Sequence, residues 1–207
     1  MNVYSASDLG HPMAVAPAQA SAERLVRRAL FVDRDGTINP DLHYLREPER
    51  LELFRGVGNA LSLAHDHGLL AICVTNQSGI ERGLYTSEDV DRIHARLNEL
   101  LRPYRARIDA FYYCPHLPER GCACRKPGTR LFEDARRDWN IDLASSAVVG
   151  DRDLDIEAGR RLGLLTALVP RPASRSAWDD GPLLLADRGD IVADTFPNAV
   201  MRILARG

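Results

Sequence analysis

Two groups of closely spaced carboxylates each follow a short apolar run directly. Asp33 and Asp35 come after ALFV, in the stretch FVDRDGT. Asp151, Asp153 and Asp155 come after AVVG, in the stretch GDRDLD. Carboxylates two residues apart can share a cation, or one can act as a nucleophile while the other transfers protons. Either group alone could also be the Asp that loops and helix caps favour, so the chemistry depends on what lies nearby.

Hydroxyl and basic side chains follow two other apolar runs. Thr75 and Asn76 follow LAICV directly, and Lys126 comes after AFYY and a loop. Together they offer a hydroxyl group, backbone N–H groups and an ammonium group to phosphoryl oxygens. Several carboxylates with a Thr and a Lys fit magnesium-assisted phosphoryl transfer to an aspartate, because Mg²⁺ prefers oxygen ligands. The sequence has no G-x-x-x-x-G-K-[ST] stretch, which argues against a P-loop.

Three of the four cysteines and one of the six histidines lie within residues 114–124. Cys114-x-His116 and Cys122-x-Cys124 supply three thiolates and one imidazole, the ligand set that structural tetrahedral zinc prefers. Four protein ligands would leave the zinc ion no open position for catalysis. A chance group of buried thiols and a redox dithiol are the alternatives, although a redox dithiol usually has the spacing C-x-x-C, which is absent here.

The elements that must position these residues can be predicted from hydrophobic periodicity. Six apolar runs are typical of buried strands, and they cover residues 29–32, 70–74, 110–113, 147–150, 165–169 and 191–193. Segments between them have helical periodicity, at residues 56–68, 86–102, 131–139 and 155–162. This alternation predicts an open, doubly wound and mostly parallel α/β sheet. Ligands bind at the carboxyl ends of such strands, which is where the polar groups above converge.

Size and composition favour one domain without membrane or nucleic-acid partners. The 207 residues suffice for a single domain, predicted at residues 29–207, after a loose N-terminal tail at residues 1–28. Residues 171–181 predict a surface loop. The net charge of −2 and the lack of a long apolar run argue against nucleic-acid and membrane partners. Because no signal-peptide pattern is present, we expect a cytoplasmic protein with reduced cysteines, and a monomer.

Four of these stretches occur in the order of a known set of motifs. They are DRDGT at residues 33–37, VTN at 74–76, RKP at 125–127 and GDRDLD at 150–155. The combination resembles the haloacid dehalogenase superfamily of aspartate-nucleophile phosphatases and covers residues 29–169. The resemblance implies a Rossmann-like fold. No segment between residues 36 and 126 is long enough for the large helical cap domain of many relatives, so we expect an open site.

The resemblance implies roles for individual residues. Asp33 would attack phosphorus and become an aspartyl phosphate, while Asp35 would act first as general acid and then as general base. Thr75 and Lys126 would hold and neutralise the oxygens of the transferred group. Mg²⁺ would be bound by the carboxylate of Asp33, the main-chain carbonyl of Asp35 and Asp151.

The cysteine-rich segment indicates one branch of that superfamily. Its C-P-H…C-x-C-R-K-P pattern is similar to the zinc loops of histidinol-phosphate and heptose-bisphosphate phosphatases, and DRDGTIN and VTNQSGIERGLYT are most similar to the heptose enzymes. The resemblance implies hydrolysis of the 7-phosphate of D-glycero-D-manno-heptose 1,7-bisphosphate. A histidinol-phosphate phosphatase, or a catalytically silent binding module of the same fold, is the alternative. The residues expected to contact the phosphorylated sugar are Asp41, Tyr44, Asn76, Gln77, Ser78, Arg125 and Arg152.

Overall fold

The computed structural model describes residues 25–169 and 189–206. Residues 1–24 of the predicted tail and the predicted loop at residues 171–181 lie outside these ranges. The described residues contain a six-stranded sheet with strands β1 Arg28–Val32, β2 Leu69–Asn76, β3 Ala110–Cys114, β4 Ala147–Gly150, β5 Leu165–Leu168 and β6 Ile191–Val192. Neighbouring strands all pair in parallel, in the spatial order β3-β2-β1-β4-β5-β6. The predicted doubly wound parallel sheet is confirmed.

Helices cover the sheet at α1 Val57–Asp66, α2 Ser87–Leu101, α3 Arg130–Trp139, α4 Asp153–Arg161 and α5 Phe196–Leu204. Single 3₁₀ turns lie at Pro48–Arg50, Arg102–Tyr104 and Pro118–Arg120. The four predicted helices are present, and α5 was not predicted. Its start carries recognisable signals, because Thr195 accepts the N–H of Asn198 as an N-cap and Pro197 lies in the first turn.

The start of α4 differs from the prediction. The helix begins at Asp153 rather than at residue 155, because Arg152 has an extended backbone with φ −125° and ψ 154°. The N–H of Arg152 donates to the Asp155 carboxylate at 3.2 Å. Asp155 therefore lies inside the first turn, where an acidic side chain can bind the N-cap N–H.

Both faces of the sheet are buried, as the apolar strands predicted. Side chains of β1 alternate between two hydrophobic clusters, with Leu30 and Val32 in one and Ala29 and Phe31 in the other. Helices α1, α2 and α5 contribute to the first cluster, and α3 and α4 contribute to the second. The sheet is thus a fixed middle layer, and its carboxyl ends form a rigid platform.

Among the described residues, the first strand begins one residue before residue 29, the predicted start of the domain. β1 starts at Arg28, and Arg27 forms an isolated parallel bridge with Ile141. The N–H of Arg27 donates to the carbonyl of Asn140 at 3.0 Å, and its guanidinium lies 5.9 Å from the ring centroid of Trp139. These contacts attach the end of the predicted tail to the end of α3.

The segment between residues 36 and 126 is described throughout and holds no inserted domain. It contributes α1, β2, α2 and β3 to the sheet and its covering layers. The platform is therefore not covered by a helical cap from this segment. Among the described residues, no helix has the length and apolar character needed to span a membrane.

Candidate active site

A cleft of about 250 Å³ lies at the carboxyl ends of the strands. Every residue predicted to act in catalysis or to contact substrate lines it. Asp151, which was predicted as a metal ligand, is buried beside the cleft at the end of β4. The fold therefore brings together side chains that lie far apart in the sequence.

The ammonium group of Lys126 lies among the buried carboxylates. Its Nζ is 2.7 Å from Asp33 Oδ1 and 2.6 Å from Asp155 Oδ1, and it donates to the carbonyl oxygen of Val74 at 2.6 Å. The side chain is only 4% exposed, and it is the only lysine of the chain. Burial opposes the charge, but the carboxylates of Asp155 and Asp33 outweigh burial and raise the pKa of Lys126. Lys126 is therefore a fixed cation.

Asp33 follows β1 and has little contact with solvent. Its N–H donates to the carbonyl of Val149 at 3.0 Å, which fixes it beside β4. Burial raises the pKa of Asp33 to about 6, against the opposing effect of Lys126 and with a further rise from the charge of Asp155. A poorly solvated carboxylate held next to a cation is suited to act as a nucleophile.

Asp155 reaches Lys126 because α4 starts very close to the end of β4. A Cβ atom on Gly150 would lie 2.3 Å from Cγ of Asp155, so a residue with a side chain would not fit there. While Oδ1 of Asp155 faces Lys126, Oδ2 accepts the N–H of Arg152. One carboxylate thus caps α4 and orients the lysine.

Three buried carboxylates form a group that could hold a metal ion. Asp33, Asp151 and Asp155 each offer one oxygen, and these atoms lie within 4.8 Å of one another. Lys126 pairs with Asp33 and Asp155, so the three grouped carboxylates carry more negative charge than this one buried ammonium group neutralises. A set of oxygen donors suits Mg²⁺. The group includes two of the predicted Mg²⁺ ligands, Asp33 and Asp151. The third, Asp35, was predicted to bind through its main-chain carbonyl.

The carboxylate of Asp35 is held by three other side chains. Arg34 donates from Nη2 to Oδ2 at 2.8 Å, and its Nε lies 3.2 Å from both carboxylate oxygens. Asn39 donates to Oδ1 and Gln77 donates to Oδ2, each at 2.9 Å. Burial opposes ionisation of Asp35, but Arg34 and the two amides outweigh burial and lower its pKa. Asp35 is therefore held as a carboxylate, the form that accepts a proton.

The side chain of Gln77 connects Asp35 with β2. Besides its bond to Asp35, Nε2 of Gln77 donates to the hydroxyl oxygen of Thr75 at 3.0 Å. The carbonyl oxygen of the same amide accepts the hydroxyl of Tyr85 at 2.6 Å. The side chain therefore orients Asp35 and Thr75, and it also lines the cleft, where the sequence predicts a substrate contact.

Asn76 is engaged in a similar way with the backbone of Lys126. Its Nδ2 donates to the carbonyl of Lys126 at 3.3 Å, and its Oδ1 accepts the N–H of Lys126 at 3.1 Å. This pair of bonds ties the last residue of β2 to the residue that carries the ammonium group. Asn76 lines the cleft, but its amide fixes Lys126.

The mouth of the cleft carries several residues predicted to contact the sugar phosphate. Arg152 pairs with Asp41 across it, with Nη2 3.2 Å from Oδ2. Asp41 also accepts the N–H of His43 at 3.0 Å, in a turn where His43 and Tyr44 have positive φ angles of 49° and 58°. The ring of Tyr44 is 46% exposed, so it offers an apolar face to a ligand.

The cysteine–histidine group is compact enough for a tetrahedral ion. The Sγ atoms of Cys114, Cys122 and Cys124 lie 3.2 to 3.6 Å apart, and His116 Nδ1 lies 3.6 Å from Cys114 and 3.2 Å from Cys124. Tetrahedral zinc with Zn–S bonds of ~2.3 Å requires sulfur atoms about 3.8 Å apart. None of the four cysteines forms a disulfide. Hydrogen bonding with Cys114, and then with Cys122 and His116, lowers the pKa of Cys124 to about 5 against the effect of burial.

Contacts outside this group attach the cysteine-rich loop to the active site. Glu81, in the segment between β2 and α2, accepts the backbone N–H of Leu117 and the Nε–H of Arg120. Arg125 donates from Nη1 to the carbonyl of His116 at 3.1 Å. The orientation of Arg125 in the cleft therefore depends on the conformation of the loop.

Some buried side chains of the site were not predicted, namely Arg34, Asn39, Tyr85 and His94. Arg34 lies between the two aspartates of the first motif and Asn39 just after it, so their positions were a usable signal. Tyr85 and His94 lie beyond β2 without any local pattern that marks them. Tertiary contacts bring them to the site, His94 against Arg34 and Phe111 and Tyr85 against Gln77.

Several known proteins with similar sequences are named as the same enzyme. The sequence profile of the HAD-hydrolase-like family matches residues 123–199. A Thermoplasma volcanium protein named as a probable D-glycero-D-manno-heptose-1,7-bisphosphate 7-phosphatase is 44% identical over 138 residues, which are 66% of this chain and 94% of that protein. The D-glycero-beta-D-manno-heptose-1,7-bisphosphate 7-phosphatase of Haemophilus ducreyi is 38% identical over 152 residues, 70% of this chain and 84% of that protein.

A solved structure agrees with this relationship. The crystal structure of D,D-heptose 1,7-bisphosphate phosphatase from B. bronchiseptica, complexed with magnesium and phosphate, superposes with a TM-score of 0.76 at 29% identity. The match covers 87% of this chain and 99% of that chain. The two proteins thus share the fold over nearly the whole length of the solved one.

Proposed function

The chain belongs to the family of D-glycero-D-manno-heptose-1,7-bisphosphate 7-phosphatases, which are HAD-like phosphoric monoester hydrolases, and we propose that it removes the 7-phosphate of such a heptose bisphosphate. One observation on the active site of this chain supports the proposal. Asp33 lies 2.7 Å from the buried cation of Lys126, in a cleft that Arg125 and Arg152 also line. A nucleophile beside a fixed cation, with further cations in the same cleft, suits a substrate with two phosphate groups.

In the first step, a carboxylate oxygen of Asp33 attacks phosphorus in line, and the bond from phosphorus to the sugar oxygen breaks. For this step Asp35 must first take up a proton, which it gives to that oxygen, so the sugar leaves as an alcohol. Lys126 and Thr75 hold and neutralise the non-bridging oxygens. The phosphoryl group is then an aspartyl phosphate on Asp33.

In the second step, a water oxygen attacks phosphorus and the bond to Asp33 breaks. The proton of the water passes to the Asp35 carboxylate, and inorganic phosphate leaves. The ionised form of Asp35, which its lowered pKa reflects, is the form that accepts this proton. The protonated Asp35 that results is the acid for the next cycle.

We assign the catalytic Mg²⁺ to the carboxylates of Asp33 and Asp151 and to the main-chain carbonyl of Asp35. When bound, the ion neutralises charge on the phosphoryl group that Asp33 attacks. The excess of buried carboxylates over ammonium groups, and the oxygen-only donor set, support this assignment. Asp155 is engaged with Lys126 and acts by orienting it.

We assign a structural Zn²⁺ to Cys114, His116, Cys122 and Cys124. The spacing of their ligand atoms supports this assignment. Four protein ligands leave no position for substrate. The zinc would fix the loop that carries Arg125.

We also propose a cytoplasmic monomer that acts on a small phosphorylated sugar rather than on nucleic acid or membranes. The near-neutral net charge supports a small-molecule substrate over nucleic acid. Light scattering coupled to size-exclusion chromatography should give one chain of 23.0 kDa per particle. A particle of twice that mass would contradict the monomer.

A substrate panel tests the proposed activity. Purified protein with Mg²⁺ is assayed for phosphate release from D-glycero-D-manno-heptose 1,7-bisphosphate in both anomers, from the corresponding 1-phosphate and from histidinol phosphate. We expect the highest kcat/KM for a bisphosphate, and no phosphate release from the 1-phosphate. An equal or higher kcat/KM for histidinol phosphate would contradict the heptose assignment. No release from any phosphate ester would contradict the enzyme itself and favour a silent binding module.

A further inference from the structure

We propose that Arg34 is the positioning residue for Asp35, and that His94 supports it from α2. This inference rests on the proposed function, because it concerns the proton transfers assigned to Asp35. It adds two residues that lie behind the cleft and do not line it. Neither is expected to touch substrate.

The guanidinium of Arg34 is unusually placed for a charged group. Arg34 is 1% exposed and is the largest of the fully buried side chains. A buried guanidinium is costly unless it is paired and hydrogen-bonded. Its charge is matched by the carboxylate of Asp35, which it contacts through both Nε and Nη2. The pair therefore forms a unit whose members fix one another.

The other end of the guanidinium contacts His94. Arg34 Nη1 lies 3.4 Å from His94 Nε2, and because Arg has no acceptor atoms, the histidine nitrogen must accept. The ring of His94 is stacked on Phe111 of β3, with centroids 4.1 Å apart and planes 9° from parallel. Phe111 belongs to the hydrophobic core. Arg34 is thus supported by a ring that cannot easily move.

The two-point contact with Arg34 limits the Asp35 carboxylate to one orientation. The amides of Asn39 and Gln77 contact the same two oxygens from other directions. Proton transfer requires the donor and acceptor atoms within hydrogen-bond distance, and a displacement of about 1 Å can cost about 100-fold in rate. Losing Arg34 should therefore impair the steps that need Asp35 more than the attack by Asp33.

The leaving group of the substrate separates these steps. p-Nitrophenolate is a weak base and leaves phosphorus without a proton, whereas a sugar alkoxide needs one. Hydrolysis of the aspartyl phosphate needs Asp35 as a base for both substrates. With p-nitrophenyl phosphate, loss of Asp35 function should thus allow the first step and block the second.

The experiment compares Arg34→Met, Arg34→Lys, His94→Phe and the wild-type protein by rapid mixing with p-nitrophenyl phosphate. For Arg34→Met we expect a burst of nitrophenolate equal to the enzyme concentration, at a rate within about tenfold of wild type. Turnover should then be slower by about 10²- to 10⁴-fold, the range of general acid–base contributions. The aspartyl phosphate should accumulate and be trapped by hydroxylamine. Arg96→Met is the control, because Arg96 pairs on the surface of α2 with Glu99.

The milder variants keep the test decisive if Arg34→Met does not fold. Arg34→Lys keeps the charge but cannot make the two-point contact, so it should restore turnover only in part. His94→Phe keeps the stacked ring and removes the acceptor, which should slow turnover by about 2- to 10-fold, the range for one hydrogen bond. Both should show the same burst with faster turnover than Arg34→Met.

Other outcomes separate this inference from the proposed function. If burst rate and turnover fall in equal proportion in the folded variants and no aspartyl phosphate accumulates, Arg34 has a general structural role and the positioning role is wrong. If the wild-type protein forms no aspartyl phosphate with any substrate, the proposed function fails and the inference fails with it.

Discussion

The carboxylate–lysine group and the cysteine–histidine group can both hold a cation, but the protein builds them differently. The first draws its residues from the ends of β1 and β4, from α4 and from the segment after β3. The second draws all four from residues 114–124, at the end of β3 and in the loop that follows it. The first is thus assembled by tertiary structure, and the second by one stretch of chain.

This difference shows where each group obtains its rigidity. Val32 pairs with Val149 in neighbouring strands, so the residues that follow both are fixed by sheet register. The loop has one 3₁₀ turn at Pro118–Arg120 and a few contacts to Glu81. We therefore expect the first group to keep its geometry without metal, and the loop to need its ion for order.

The largest expected effect comes from Asp33, the proposed nucleophile in the first group. Asp33→Asn keeps the shape of the side chain but cannot form the aspartyl phosphate. We expect kcat to fall by about 10⁴-fold or more, as when an enzyme nucleophile is removed. Zinc content, measured by atomic absorption, should stay at the wild-type level. The matched control is Asp66→Asn, which should keep full activity because this exposed residue ends α1 just before the start of β2, away from the carboxyl ends of the strands.

Lys126→Met should have the next largest effect, about 10²- to 10³-fold on kcat, the range for one electrostatic donor to the reacting group. The variant also leaves Asp33 and Asp155 buried without their cation, which should lower the free energy of unfolding by about 3–5 kcal/mol. Urea unfolding and phosphate release measure the two effects. Lys126→Arg keeps a cation of different shape. If it restores the free energy of unfolding but not phosphate release, stability needs only the charge at this position and catalysis needs the geometry of lysine.

Cys114→Ser should affect the second group and spare the first. We expect zinc to be lost, hydrogen exchange across residues 114–124 to speed up, and KM for the heptose bisphosphate to rise because Arg125 is no longer oriented. Turnover of p-nitrophenyl phosphate should change less than threefold, since Asp33 and Lys126 are fixed by the sheet and Asn76. Cys73→Ala, in the core strand β2, is the control and should keep its zinc. Equal loss of turnover with both substrates would contradict the independence of the two groups.

The smallest expected effect concerns Arg125, the residue that connects the groups. Arg125→Lys keeps the charge but removes the planar fork that bonds to the carbonyl of His116. We expect KM for the bisphosphate to rise about tenfold with kcat nearly unchanged, as for a contact made equally in ground and transition states. Initial-rate kinetics on the bisphosphate and on a small aryl phosphate would measure it. A drop in kcat for the aryl phosphate would mean that Arg125 acts on the reacting phosphoryl group.

The sequence was a good guide to the fold and to the first group for a physical reason. Strands buried on both faces must be apolar throughout, and polar residues can begin only where the strands end. That rule located β1 to β6, and the motif order located Asp33, Thr75, Lys126 and Asp151. α5 was missed although Phe196, Ala199, Val200 and Ile203 have helical spacing and are buried.

The sequence could not predict which polar side chains hydrogen-bond to other residues of the site. Asn76 and Gln77 are adjacent in a motif that predicts substrate contact, and their amides also bond Lys126 and Asp35. His94 contacts Arg34 across sixty positions of sequence. The contact of His94 with Arg34 depends on how α2 packs against the sheet, and no local sequence pattern predicts that packing.

The single lysine of the chain makes the assembled site chemically addressable. Every other basic side chain that is always charged is an arginine, so amine-reactive reagents can attack only Lys126 and the chain terminus. In the folded protein, Nζ of Lys126 is buried and in contact with Asp33, Asp155 and the carbonyl of Val74. An acylating reagent should therefore leave Lys126 untouched until the site opens. The fraction of chains labelled at this one atom thus counts the molecules whose active site has come apart.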